Sequence, residues 1–292
     1  MKGEMESVIT KLKEFSRHEN VKLVNCGNAA IFAALYIAKK VNSKPFILIP
    51  DQGGWISFKT YPQILGFNIK EIKTDKGVID LKDLKDKAPT GAALFIASFA
   101  GYYAEQPLKE ISEICKEAGC LLVEDASGSI GDQALCNGTY SDIIIGSFGK
   151  WKPVDFQDGG FVAVSESDYF EKTKEMYSIL RFKPDYDALL DKLNAVKEKL
   201  NFFMETAEKI KKDLLKEKLP VFHPDKRGLN VVVGFKDDKQ KEVITKYCKD
   251  NNYEFLVCPK DIRVNEEAIS IEIKRLKSQK IKTKTMVSME KK

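Results

Sequence analysis

Three short apolar runs, Leu121–Val123, Ile143–Ile145 and Phe161–Val164, lie close together in the middle of the chain. Each is too short and too uniformly apolar for a surface helix, and each reads as a buried strand. The residues able to do chemistry fall at the ends of these runs. Asp125 sits where the first ends, Ser147 follows the second, and Lys152 lies in the loop before the third. Gly159-Gly160 marks a tight backbone turn at the entry to the last run.

The same pattern continues upstream. Val21–Val24, Phe46–Ile49, Asn68–Ile72 and Ala92–Ala97 read as strands, and Ala29–Lys40, a segment ending near Leu65, Asp80–Lys87 and Leu108–Ala118 read as helices. Strands alternate with helices from residue 20 to about 165, which predicts a parallel sheet with its ligand at the carboxyl ends of the strands. Asp125, Ser147 and the Lys152 loop all fall at that edge. An acid, a hydroxyl and a lysine so placed suit one cofactor, pyridoxal phosphate. Its aldehyde needs a lysine amine. Its ring nitrogen needs a carboxylate to stay protonated and act as an electron sink. Its phosphate needs hydroxyls and backbone N–H groups. Gly27-Asn28-Ala29, at the start of the alanine-rich helix, offers such N–H groups, although alone Asn28 reads as an ordinary helix cap. Taken singly, Asp125 and Ser147 also read as turn caps and Lys152 as a surface lysine. Their joint order and spacing favour the site.

Ser147-Phe148-x-x-x-Lys152 followed by Gly159-Gly160 resembles the S-F-x-x-x-K…G-G segment of the DegT/DnrJ/EryC1/StrS aminotransferases. Val123-Glu124-Asp125-Ala126 resembles their E-D-A box, and Gly27-Asn28-Ala29-Ala30 their G-T-A box. The resemblance covers about residues 20–180. It implies an α/β fold: a three-layer fold-type-I domain with a mainly parallel sheet, plus a small α+β C-terminal domain. It implies that Lys152 bonds the pyridoxal phosphate aldehyde and that Asp125 faces the ring nitrogen. Gly27, Asn28, Ala29 and Ser147 would hold the phosphate, and Trp55 would stack on the ring. Lys150 is the rival for the covalent link, since S-x-x-K also occurs among such enzymes; matching both Ser147 and the glycine pair without a gap favours Lys152.

The chain departs from the family in several places. Asn28 replaces a hydroxyl, Gly128 stands where a glutamine is frequent and Ile130 where a histidine is. The stretch after Arg181, which in the family lends a residue to the neighbouring subunit's phosphate, is here Phe182-Lys183-Pro184-Asp185-Tyr186. The expected organisation is a cofactor-binding domain over 1–180, then a long helix (about Tyr186–Lys218) and a small α+β domain over 181–292. Tyr169–Lys183 reads as helical. In Ala268–Ile273 apolar and polar residues alternate as in a half-buried strand.

Composition supports an ordinary globular protein of 292 residues, with 43% hydrophobic and 31% charged residues. The net charge of +5 comes from 48 basic and 43 acidic residues that are interspersed, a solvated surface more than a nucleic-acid footprint. The exception is Lys274–Lys292, acid-free before Glu290, which reads as a solvated tail and leaves an anion or RNA contact open. Six scattered cysteines with no C-x-x-C pair, and two histidines, argue against a metal site and for reduced thiols in the cytoplasm. No signal peptide and no apolar run of about 18 residues is visible, so no membrane partner is expected. The leading expectation is a homodimeric aminotransferase, moving an amino group from a small donor to a keto-sugar or related carbonyl acceptor through Lys152. Lysine rather than histidine at this place argues against the family's sugar dehydratases. The alternatives are the same cofactor with another chemistry or a macromolecule-bound substrate, or a non-catalytic relic serving as a partner subunit.

Overall fold

A computed structural model of the protein describes residues 2–276. The central sheet contains β1 (Asn20–Val24), β2 (Phe46–Pro50), β3 (Asn68–Ile72), β4 (Gly91–Ala97), β5 (Leu121–Asp125), β6 (Ile143–Ser147) and β7 (Gly160–Val164). Their order across the sheet is β1-β7-β6-β5-β4-β2-β3. Strands β3, β2, β4, β5 and β6 are parallel, and β7 is antiparallel to both β6 and β1. β1 therefore points the same way as β6. The carboxyl ends of β1, β2, β4, β5 and β6 open on one edge of the sheet, where β7 begins.

Side chains alternate between the two faces of a strand, so a strand covered on both sides must be apolar throughout. Ile143 and Ile145 pack on one face with Ile47, Phe95 and Val123. Ile144 packs on the other with Phe161 and Ala163. The covering helices are α1 (Lys2–Ser16), α2 (Gly27–Val41), α3 (Leu81–Lys87), α4 (Leu108–Ala118) and α5 (Tyr186–Lys216). In α2 the buried Ala30, Ala33, Ala34 and Ala38 present small side chains to the first face. On the opposite side α3, α4 and α5 contribute Leu84, Ile111, Leu200 and Phe203.

α5 starts where Asp185 caps the Ala188 N–H at 3.0 Å. Its buried Leu189, Leu193, Val196, Leu200, Phe203, Ala207, Ile210 and Leu214 recur every three or four residues along one stripe. Each larger side chain so buried stabilises by about 1.5–3 kcal/mol. The first half of that stripe meets Val8, Leu12 and Phe15 of α1. The second half meets the small sheet made by β8 (Val231–Gly234), β9 (Phe255–Cys258) and β10 (Ala268–Ile271), with α6 (Asp238–Asp250) between β8 and β9. Its order is β8-β10-β9, all antiparallel.

Three local expectations differ from the structure. The helix expected up to Leu65 is a short turn, Ser57–Thr60, followed by a 3-10 turn from Pro62, because Pro62 has no N–H to continue the ladder. The segment Tyr169–Lys183 is not one helix. Ser167–Glu171 and Lys174–Ser178 are separate turns, parted at Thr173, whose hydroxyl donates back to the Tyr169 carbonyl at 2.7 Å. Finally, β10 is buried on both faces, and Glu272 just beyond it is 1% exposed.

Glu272 tolerates that burial because Arg263 Nε and Nη2 donate to its two oxygens at 2.9 and 2.8 Å. Asn230 and Ser270 add further bonds at 3.1 and 2.8 Å. Burial pushes the Glu272 carboxyl up, but the bonds and charge of Arg263 outweigh it and the net shift is downward. Arg263→Met is therefore expected to destabilise the fold by about 3 kcal/mol, the cost of removing the bidentate partner of a buried carboxylate, even with Arg275 Nε remaining 3.5 Å from it. Adding Glu272→Met should restore much of that loss. Urea denaturation of the single and double variants measures both, and an unchanged midpoint in the single variant would refute the role of the pair.

Candidate active site

A cavity of about 420 Å³ opens at the carboxyl edge of the sheet. Its first wall is the start of α2. Cys26 caps this helix, its Sγ accepting the Ala29 N–H at 3.4 Å, so the expected cap at Asn28 is not what forms. Gly27 and Asn28 line the cavity, whereas the Ala29 N–H is turned to Cys26 and its side chain is buried. Only glycine fits at position 27, since an added Cβ would stand 2.6 Å from Ser147 Cβ. The end of β6 thus presses against the start of α2 and brings the Ser147 hydroxyl beside the first N–H groups of a helix, a geometry that can receive an anion. Ser147 Oγ accepts the Gly149 N–H at 3.1 Å, which holds the turn after β6.

The two adjacent acids of β5 separate to opposite faces, as strand geometry requires. Glu124 is fully buried and accepts from Ser98 Oγ (2.7 Å), the Cys136 N–H (2.8 Å), the Asn137 N–H (3.4 Å) and Ser141 Oγ (2.8 Å). It fastens the long loop between β5 and β6. Asp125 instead lines the cavity. Its Oδ1 accepts the Ser127 N–H at 2.9 Å, while Ser127 Oγ accepts the Ser147 N–H at 2.9 Å. Ser127 therefore ties the acid of β5 to the end of β6. Burial pushes the Asp125 carboxyl up, with Ser127 and the Lys152 charge opposing.

Lys152 reaches the cavity from a loop anchored by buried Phe148 and Val154. Lys199 of α5 holds that loop from behind, 3.5 Å from Asp155 and 3.4 Å from the Lys152 carbonyl. The Lys152 Nζ donates to the Tyr102 hydroxyl and stands 5.1 Å from the Trp55 ring centre. Lys150 sits on the rim, exposed, with its Nζ 4.7 Å above the Trp151 ring. Trp55 is pinned by its Nε1, which donates to Asn28 Oδ1 at 3.0 Å; Ser57 Oγ donates to the same oxygen at 3.0 Å. Two donors converging on Asn28 fix its oxygen towards them and its amide nitrogen away.

The far wall comes from the small domain. The segment between β9 and β10 packs on the loops after β2 and β4: Gly53 N–H donates to the Asp261 carbonyl at 2.7 Å, and the Asn265 N–H to Gln52 Oε1 at 2.7 Å. Arg263, Lys274 and Arg275 line the cavity. Arg275 stacks on Trp151 at 4.4 Å, joining the small domain to the Lys152 loop. Lys274, expected in a solvated tail, is 6% exposed; residues 277–292 of that run lie outside the described residues.

The structure thus brings Gly27, Asn28, Trp55, Asp125, Ser147 and Lys152 to one cavity and leaves Ala29 behind it. Arg181 and Lys183 are exposed and do not line it. The residues missed by sequence reasoning are Ser127, Tyr102 in its role as Lys152 partner, and the three cations of the small domain. Gly128 explains part of this. A Cβ there would come within 3.1 Å of the Tyr102 ring, so the missing side chain is the space Tyr102 occupies. Ile130 is simply core.

The sequence profile of the DegT/DnrJ/EryC1/StrS aminotransferase family matches residues 3–199. That of the MJ1341 family C-terminal domain matches residues 197–291. No curated protein sequence matches the chain significantly. The fold is similar to that of alanine–glyoxylate aminotransferase from Nostoc sp. (18% identity, TM-score 0.71, covering 92% of this chain and 80% of that one). It is similar also to PseC from Helicobacter pylori, an aminotransferase involved in the biosynthesis of pseudoaminic acid (15% identity, TM-score 0.70, 91% and 84% covered). A DegT DnrJ EryC1 StrS aminotransferase from Brucella abortus is a third (15% identity, TM-score 0.69, 92% and 84% covered).

Proposed function

Since the chain belongs to the DegT/DnrJ/EryC1/StrS aminotransferase family, we propose that its cavity moves an amino group from a small amino donor to a keto-sugar or related carbonyl acceptor, with Lys152 as the covalent anchor and proton carrier. The aminotransferase class, the fold-type-I architecture and the cofactor, pyridoxal phosphate, follow from the family. The observation that carries the residue roles is convergence: Lys152, Asp125, Ser147, Trp55 and the start of α2, remote in sequence, share one cavity.

The residues present fit the cofactor. The cavity volume falls within the roughly 300–1,000 Å³ of small-molecule sites. Gly27 leaves the α2 N–H groups and Ser147 in contact, as a phosphate requires. Asp125 has one oxygen fixed by Ser127 and faces the cavity, as a ring nitrogen requires. When bound, the cofactor supplies an electron sink for the carbon that loses its proton. The protein does the rest. Asp125 holds a proton at the ring nitrogen by its negative charge. Trp55, pinned by Asn28 at the cavity wall, would supply the apolar face against which a flat ring can rest and would help exclude water. Lys152 would bond the cofactor aldehyde and, with its amine free, would serve as the base and acid that carries a proton at the Nζ. Tyr102 orients the Lys152 Nζ through its hydroxyl.

A screen of amino donors and keto acceptors on the holoenzyme tests the reading. A true donor should bleach the visible band of the cofactor and a true acceptor should restore it. Failure of every donor to bleach it would overturn amino transfer.

We also propose a homodimer whose partner completes the phosphate cradle. Exposed Ile56, Ile64 and Ile179 lie at the carboxyl edge or beside α2, and Ile179 precedes Leu180, whose carbonyl accepts the Asn25 N–H at 3.1 Å. Arg181 and Lys183 follow directly, exposed and free to reach a neighbour. Sedimentation over a dilution series should show a dimer, and a fully active monomer would end the idea. Mixing Lys152→Ala subunits with Arg181→Ala/Lys183→Ala subunits should restore activity absent from either parent. No recovery despite proven subunit exchange would refute a shared site. The six free cysteines, five of them buried, favour a reducing cytoplasmic setting.

A further inference from the structure

We propose that Lys274 is an anion receptor in this cavity: the substrate carries a carboxylate or phosphate group and presents that oxyanion to the Lys274 Nζ, beside the Lys152 amine. The proposal rests on the aminotransferase reading of the cavity.

Lys274 is 6% exposed and lines the cavity wall supplied by the small domain. Among the described residues its Nζ has no hydrogen-bond acceptor and no carboxylate partner. Its contact is the Tyr102 ring, 4.0 Å away. A buried lysine amine without an acceptor is costly, so such a group is retained where something else pairs with it.

The charged and titratable groups facing it come from each neighbouring element. Tyr102 stands on the loop after β4, Lys152 on the loop before β7, Arg263 on the segment between β9 and β10, and Glu272 and Arg275 on its own segment. Glu272 is fully engaged: its two oxygens already take Arg263, Asn230 and Ser270. Arg275 is paired with Glu254 at 3.1 Å and with Glu272 at 3.5 Å. Lys274 is therefore a buried amine of the cavity with no anionic partner among the described residues, and Asp125, on the opposite wall, is the one acid of the described lining.

Burial, then the charges of Arg263 and Lys152, push the Lys274 amine down to about 6. Near neutral pH the amine is thus largely uncharged while no anion is present. An arriving oxyanion favours the ammonium, so binding draws in a proton. A neutral sugar hydroxyl would accept a hydrogen bond there without drawing one. Above about pH 6 the apparent affinity for an anion falls as pH rises, until the amine of the complex itself titrates. The cradle at α2 and Ser147 is a separate anion site, on the sheet side of the cavity, and suits the cofactor's own phosphate.

The test is calorimetric titration of the holoenzyme with glutarate and with sulfate, at about pH 7.5 in two buffers of different ionisation enthalpy. Wild-type protein should take up about one proton per bound anion. Lys274→Met should bind at least about 30-fold more weakly and take up none. Lys274→Arg should keep binding without uptake, because arginine is always charged. Preference for glutarate assigns a substrate carboxylate, and preference for sulfate a phosphate. The proposal is overturned if neither anion binds, if Lys274→Met binds like wild type, or if wild type binds without proton uptake. An unaltered denaturation midpoint and visible cofactor band in Lys274→Met exclude misfolding as the cause. Failure of the protein to load the cofactor would sink the aminotransferase reading instead, and anion titration of the protein would still report on Lys274.

Discussion

Lys152→Ala is expected to fold, to hold the cofactor weakly and without a covalent bond, and to lose turnover by more than about 10⁴-fold, beyond the range of a proton-transfer group alone. Two functions vanish with one side chain: the covalent anchor and the proton carrier. The geometry singles out this lysine. Its Nζ is bonded to the Tyr102 hydroxyl, lies near the Trp55 ring and, by its charge, opposes the rise that burial imposes on the Asp125 carboxyl. Lys150, two residues earlier, is exposed with its amine over Trp151 on the cavity rim. Borohydride reduction of the wild-type holoenzyme, followed by peptide mapping, should therefore find the pyridoxyl group on Lys152. Its recovery on Lys150 would sink this assignment and leave the enzyme class standing.

What the sequence revealed was local. The period-two rule sends Glu124 and Asp125 to opposite faces of β5, so a box of two acids becomes one structural clamp and one cavity carboxylate. Apolar continuity in Ile143–Ile145 announced a strand covered on both sides. The spacing from Ser147 to Lys152 and to the glycine pair is set within a single loop, and its meaning survives without tertiary information. The alternation in Ala268–Ile273 was misleading for the same reason. Ser270 and Glu272 look solvent-facing until Arg263, nine residues earlier, is folded against them. Lys274 inherits that error: next to a buried Glu272 it must also turn inward. Tyr102 was hidden differently. Its ring needs the space at Gly128, a residue in another loop, so Gly128 read as a lost side chain when it is the room for a new one.

Asp125→Asn should leave the fold intact, because the amide oxygen can still accept the Ser127 N–H and the volume is unchanged. Turnover should nevertheless fall about 10³-fold, the scale of losing one preorganised electrostatic contact in a water-poor site. The amide has no charge with which to keep a proton on a ring nitrogen, so the electron sink fails. Cofactor affinity should drop as well, since a hydrogen bond to a charged group is worth about 1.5–3 kcal/mol. The direction of the Asp125 shift adds a second readout. Burial raises this carboxyl above the ordinary aspartate range, opposed by Ser127 and Lys152. The carboxylate is present above its raised pKa and is lost as pH falls through it, earlier than for an exposed aspartate. Wild-type cofactor affinity should accordingly weaken on the acid side, whereas the asparagine variant should lack that limb. Equilibrium binding of the cofactor across pH, beside single-turnover rates at neutral pH, separates the two effects. Near-normal turnover in the variant would remove Asp125 from the chemistry, and an identical acid limb in both proteins would assign the titration to another group.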